Sequence, residues 1–214
     1  MTTEVLTNHD LCMAALRKLG VVAFETAATA DEIEVARAAL SRMLKAWQNR
    51  GDNLWAVTSM SVTLTTALSY ALSPVRPLDL QSVRFKRSGT EIPMVRFNRD
   101  EYDTLPNKAT KGTPTCFYYD RQKEAGTLFI WPSLAVASGE TLEITYLREL
   151  GDVALDAAAD VPSEWYDAVA YGLASRLSDD FMINAPNLMQ RAEIEYRAAL
   201  DRDREGSVFF YGEY

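Results

Sequence analysis

Hydrophobic spacing divides the chain into a helical opening, an alternating middle and a helical close. Leu11, Ala14, Ala15 and Leu19 recur at helical spacing behind Thr7 or Asn8, either of which suits an N-cap. Arg17 and Lys18 precede Gly20, which ends the run as the helix dipole and a left-handed cap prefer. A second helix starts near Thr29, where Glu32 completes a capping box, and its stripe is Ile33, Ala36, Leu40, Met43, Leu44 and Trp47 before Gly51. The connection VVAFETAA is short, so the two helices are expected as antiparallel neighbours.

From Ser59 the period falls to two. Strands are predicted at 59–65, 69–72, 80–87, 91–97, 116–120, 127–131 and 141–147, with turns at Ser88-Gly89 and Glu124-Ala125-Gly126. Pro93 marks an edge strand or a bulge, and residues 98–105 read as one short helix. Helical spacing returns behind Pro162 with Trp165, Val169, Leu173, Leu177 and Phe181. Pro186 starts a last helix that carries Leu188, Ala192, Tyr196 and Leu200, and Gly206 stops it. The expected fold is α+β: a helix pair over 1–59, an inserted antiparallel β unit over 60–149, a second helix pair over 150–206 and an extended tail over 207–214. Because the β unit interrupts the helices, both pairs are expected to complete one four-helix-type bundle.

Composition narrows the classes. With 48% hydrophobic and 10% aromatic residues the chain is globular, and two cysteines cannot form a disulfide framework, so a reducing compartment is expected. No membrane-length apolar run occurs, and the opening MTTEVLTNHD lacks the regions of a signal peptide, which predicts a soluble protein made in the cytoplasm without a membrane partner. The net charge of −8 argues against holding nucleic acid through phosphate neutralisation. That charge is local: residues 150–214 hold 13 acidic and 5 basic side chains.

Candidate chemistry is sparse. His9 is the single histidine, which excludes a multi-histidine metal centre; its spacing from Cys12 would let an imidazole activate a thiol, but a polar turn residue beside a core cysteine is the preferred reading of the pair. Cys116 lies in an aromatic strand and reads as a core residue. P-loop, GxGxxG, nucleophile-elbow and CxxC patterns are missing. The carboxylates Asp100, Glu101 and Asp103, then Asp152, Asp156 and Asp160 with Glu164 and Asp167, raise a hydrolase pair or a calcium loop, but their positions near helix starts fit dipole compensation. No catalytic residue, metal ligand or cofactor is expected. The basic residues Arg84, Lys86, Arg87, Arg96, Arg99, Lys108 and Lys111 leave the β unit near neutral, which disfavours a phosphate groove.

The tail stands out. Val208, Phe209, Phe210, Tyr211 and Tyr214 follow a helix stop, and so aromatic a segment suits docking onto a partner or folding back on its own helices.

Two stretches, Ala15-Leu16-Arg17-Lys18-Leu19-Gly20-Val21 with Leu44-Lys45-Ala46-Trp47-Gln48, and Val161-Pro162-Ser163-Glu164-Trp165-Tyr166-Asp167-Ala168 with Tyr171-Gly172-Leu173-Ala174, carry a resemblance. With this element order, the chain resembles the head-to-tail adaptor (connector) proteins of tailed bacteriophages, the group that includes packaged-DNA stabilisation proteins and tail tubular protein A. The resemblance implies a structural virion protein at the head–tail junction, assembled as a homo-oligomeric ring, usually dodecameric, under the portal protein. Such a ring retains packaged double-stranded DNA, lets it pass without specific binding, and gives tail or nozzle proteins a platform. Carried onto this chain, the portal-directed arm is 207–214, with Val208, Phe209, Phe210, Tyr211 and Tyr214. Some of Asp179, Asp180, Glu193, Glu195, Asp201, Asp203 and Glu205 would then face a channel that repels phosphates, or else form a solvated helix face. Two other classes compete: a tail or receptor-binding module acting through Tyr118, Tyr119 or Trp131 of the β unit, and a carboxylate-dependent hydrolase.

Overall fold

A computed structural model of the chain describes residues 5–50, 54–73 and 76–203. They form two compact units. One contains both ends of the chain, through Trp55 and again from Leu150; the other is Ala56–Glu149.

The first unit contains α1 (Asn8–Leu19), α2 (Ala30–Gln48), α4 (Tyr166–Asp180) and α5 (Pro186–Asp203). Thr7 caps α1 and Thr29 caps α2, each through a reciprocal capping box, with Asp10 and Glu32 as the returning carboxylates. Gly20 closes α1 at φ +83°, in the left-handed region where a Cβ is costly. The first amides of α1 are satisfied by the strap before α4: Asn8 and His9 amides donate to Ala157 and Leu155 carbonyls at 3.0 Å, and Asn8 Nδ2 donates to Ala154 O at 2.8 Å.

The helices correct the expectation of a four-helix bundle. α4 packs against α1, α2 and α5 and is the hub of the unit. Its buried residues Ala168, Val169, Ala170, Gly172, Leu173, Ala174 and Leu177 run around the helix instead of along one stripe, as a helix enclosed by neighbours requires. Four helices each turning one apolar face to a shared axis would leave the alanine side of α4 in water. Phe181, expected on that stripe, lies beyond the end of α4 as its half-buried C-cap.

The second unit corrects the single antiparallel β unit. It has two four-stranded sheets, one ordered β1 (Val57–Thr63), β8 (Thr141–Arg148), β3 (Pro77–Arg87), β4 (Thr90–Pro93), the other β2 (Ser69–Leu72), β7 (Gly126–Trp131), β6 (Cys116–Arg121), β5 (Val95–Phe97). The run 91–97, expected as one strand, is split at Met94 between β4 and β5, which belong to different sheets. β5 pairs with β6 in parallel, because the connection through α3 (Arg99–Asp103) is long enough for a crossover. Ser88 and Gly89, at φ +49° and +81°, turn the β3–β4 hairpin. Pro93 sits on edge strand β4 opposite Arg84. One apolar cluster joins both sheets, with Leu80, Val83, Phe85, Leu142 and Ile144 from the first and Leu72, Phe117, Leu128 and Ile130 from the second.

Candidate functional site

The stretches that carry the resemblance converge. Trp47 of α2 and Trp165, whose indole is fully buried, lie 6.0 Å apart between ring centroids. Tyr196 of α5 meets both, at 4.8 and 5.6 Å, and Trp55 adds a fourth ring 4.7 Å from Trp165. Tilted and edge-on rings of this kind hold α2 and α5 to the turn that leads into α4. Gly172 allows the approach: a Cβ there would lie 2.9 Å from Trp47 Cζ2 and 3.2 Å from Met43 Sδ. On the opposite side Lys18 of α1 sits 3.7 Å over the Tyr171 ring and 3.6 Å from the Asp167 carboxylate. Ala15, Leu16 and Leu19 of the first stretch are buried in the same core.

The acidic residues expected to face a channel occupy two places. Asp179 and Asp180 are exposed in the last turn of α4, where the helix dipole disfavours negative charge, and neither forms an ion pair among the described residues. Glu193 and Glu195 are neutralised on α5 by Arg197 at 2.7 Å and Arg191 at 3.0 Å. Asp201 is exposed on the last turn of α5, and Asp203 ends it. Glu205 and the tail residues Val208, Phe209, Phe210, Tyr211 and Tyr214 lie outside the described residues.

The β unit spends its charges internally. Arg84 and Lys86 reach Glu91 at 3.1 and 3.6 Å, Arg87 reaches the buried Glu140 at 3.1 Å, and Arg99 reaches Asp120 at 3.7 Å. Asp79 takes both Arg96 and Arg121, at 2.7 and 2.8 Å. Its aromatic residues are engaged too: Tyr119 is buried and donates to Pro77 O at 2.6 Å, Trp131 Nε1 donates to Asn107 O, and Tyr118 stacks on Tyr102 and Phe129. Of the three residues weighed for a receptor face, Tyr119 is buried and Tyr118 and Trp131 are half-buried.

The other candidate chemistry is equally committed. Burial pushes the Cys12 thiol up to about 12, so it stays protonated and inert, while His9 is exposed. Cys116 is raised by burial as well and donates to Trp131 O at 3.2 Å. Glu101 closes the Asn98 capping box of α3, Asp103 pairs with Lys108, and Asp152 pairs with Lys45 at 3.0 Å. Among the described residues no three metal-ligating side chains come together, and no helix is long and apolar enough to cross a membrane.

Ring packing knits the core of the first unit, and many of its carboxylates are engaged in caps and ion pairs. The SU10 adaptor protein family matches residues 9–208, and the chain belongs to that family of phage head–tail adaptors. No curated protein matches the chain. Among solved structures, a chain in the neck of an empty GTA particle, computed with C6 symmetry, is similar: 15% identical, aligned over 97% of this chain and 95% of its own, with a TM-score of 0.33. Sequence reasoning missed that Arg50 and Arg176, 126 residues apart, flank one groove, because only folding brings them together.

Proposed function

We propose that the chain is a structural head-to-tail adaptor that assembles as a homo-oligomeric ring, of about twelve copies, under the portal protein. It helps retain packaged double-stranded DNA, as packaged-DNA stabilisation proteins do, and presents a platform to tail or nozzle proteins. The observation that carries this reading is the family match across residues 9–208, which takes in both units. In this reading residues 207–214 form the portal-directed arm, and Asp179 and Asp180 give the channel wall its negative charge. A wall of that sign repels phosphates and lets DNA slide.

Light scattering on purified chain and portal, alone and mixed, tests the reading. The mixture is expected to run as one complex whose mass exceeds the portal by a full ring of copies. A mixture that always separates into its components contradicts it.

A further inference from the structure

A groove of about 170 Å³ runs between α2, α4 and α5, walled by Met43, Trp47, Met189 and Tyr196 and flanked by Arg50 and Arg176. Its charge is unbalanced. Arg50 lies 5.0 Å over the Tyr196 ring, but among the described residues no carboxylate is within ion-pair distance of Arg42, Arg50 or Arg176. Glu193 also lines the groove and is turned to Arg197. Asp179 and Asp180, three and four residues beyond Arg176, do not pair with it. Burial first, and then the charges of Arg50 and Arg42, lower the proton affinity of Arg176. Met189 is 70% exposed, so the apolar wall is open as well.

An apolar, aromatic groove beside the Arg50 and Arg176 guanidiniums fits a peptide that carries rings and carboxylates together, and fits bare phosphate poorly. The chain supplies such a peptide. Residues 204–214 hold Phe209, Phe210, Tyr211 and Tyr214 with Glu205 and Glu213, against one basic residue, Arg204, at the start nearest α5. They follow directly on α5, whose own residues Met189 and Tyr196 wall the groove. At about 1.5 Å per helical residue, Met189 lies roughly 21 Å back from Asp203, whereas eleven extended residues span roughly 36 Å. Gly206 allows the reversal that this path needs.

We propose that the groove flanked by Arg50 and Arg176 is the docking site of residues 204–214 of the same chain before assembly. The inference rests on the reading of this tail as a docking segment, and adds where it is held when the portal is not present. Tethering favours the same chain over a second copy, since a short linker raises the local concentration of the segment to the millimolar range.

The test uses the full chain, without portal, carrying the photocrosslinker p-benzoylphenylalanine at Phe210. Illumination is expected to join that position to Met43, Met189 or their neighbours within one chain. The double variant Arg50→Glu and Arg176→Glu is expected to cut the yield at least tenfold, and adding Glu205→Arg and Glu213→Arg is expected to restore it. Circular dichroism melts of each variant check that the fold is kept; Arg50 and Arg176 are both exposed. Crosslinks elsewhere, crosslinks only between copies, or a yield indifferent to the charge reversals overturn the proposal. Portal binding is scored separately by light scattering, so failure of the groove and failure of the adaptor reading give different results.

Discussion

Gly172 of α4 lies against the indole of Trp47, at a distance where even one added carbon would overlap it. Trp47 is itself held by Trp165 and Tyr196, so the ring cannot swing aside. Gly172→Ala gains about 1 kcal/mol of helix propensity and loses about 1–3 kcal/mol to overpacking. The net expectation is destabilisation of about 1 kcal/mol, read as a lower urea midpoint by circular dichroism. A midpoint at or above the parent value would show that the rings yield.

Asp79 gives the β unit a sensitivity to acid. Burial works against its charge, yet hydrogen bonds and charge from Arg96, with the charge of Arg121, outweigh that and hold the carboxyl below its ordinary value. A carboxyl lowered by folding contributes stability above its unfolded pKa of about 3.9, and that stability disappears as pH falls through the folded value. Because Asp79 is 38% exposed, solvent screening reduces the contribution to about 1 kcal/mol. Asp79→Asn is therefore expected to lower the urea midpoint at pH 7 and to match the parent near pH 2. An equal deficit at both values would show that shape, not charge, sets the effect.

Neither thiol should react in the folded protein. Cys12 and Cys116 are buried, and burial raises both thiols. Iodoacetamide at pH 8 is expected to leave both unmodified until urea unfolds the chain, when mass spectrometry should count two adducts. Rapid native labelling of Cys12 would revive the His9–Cys12 pair as chemistry.

Asn8 ties the start of α1 to the strap before α4. Its amide group is buried and donates to Ala154 O at 2.8 Å. Asn8→Ala leaves that carbonyl without its donor and should cost about 1–3 kcal/mol. Hydrogen exchange should show the loss over residues 154–158 as well as at the start of α1. Unchanged exchange in the strap would show that the contact adds nothing.

Much of this was legible in the sequence because it is local. The Thr7 and Thr29 capping boxes, Gly20, the Ser88-Gly89 turn and the alternating strands are each decided within a few residues. What escaped depends on partners distant in the chain. The hub position of α4 is hidden because alanine and glycine read as weak members of one stripe until three neighbours enclose them. The division of 91–97 between two sheets turns on Met94, which looks like an ordinary strand residue but whose amide bonds Val83 O while the next, Val95, bonds Thr115 O. The motif residues Trp47, Trp165 and Gly172 were readable as packing signatures; that they pack on one another was not.

The proposed function places a ring of this chain between portal and tail. Electron microscopy of the chain bound to its portal tests that most directly. The account predicts a closed ring, coaxial with the portal, with residues 207–214 running onto portal density and Asp179 and Asp180 on the lumen. Copies scattered on the portal flank, or a ring whose lumen is lined by basic side chains with those aspartates outside, would contradict it.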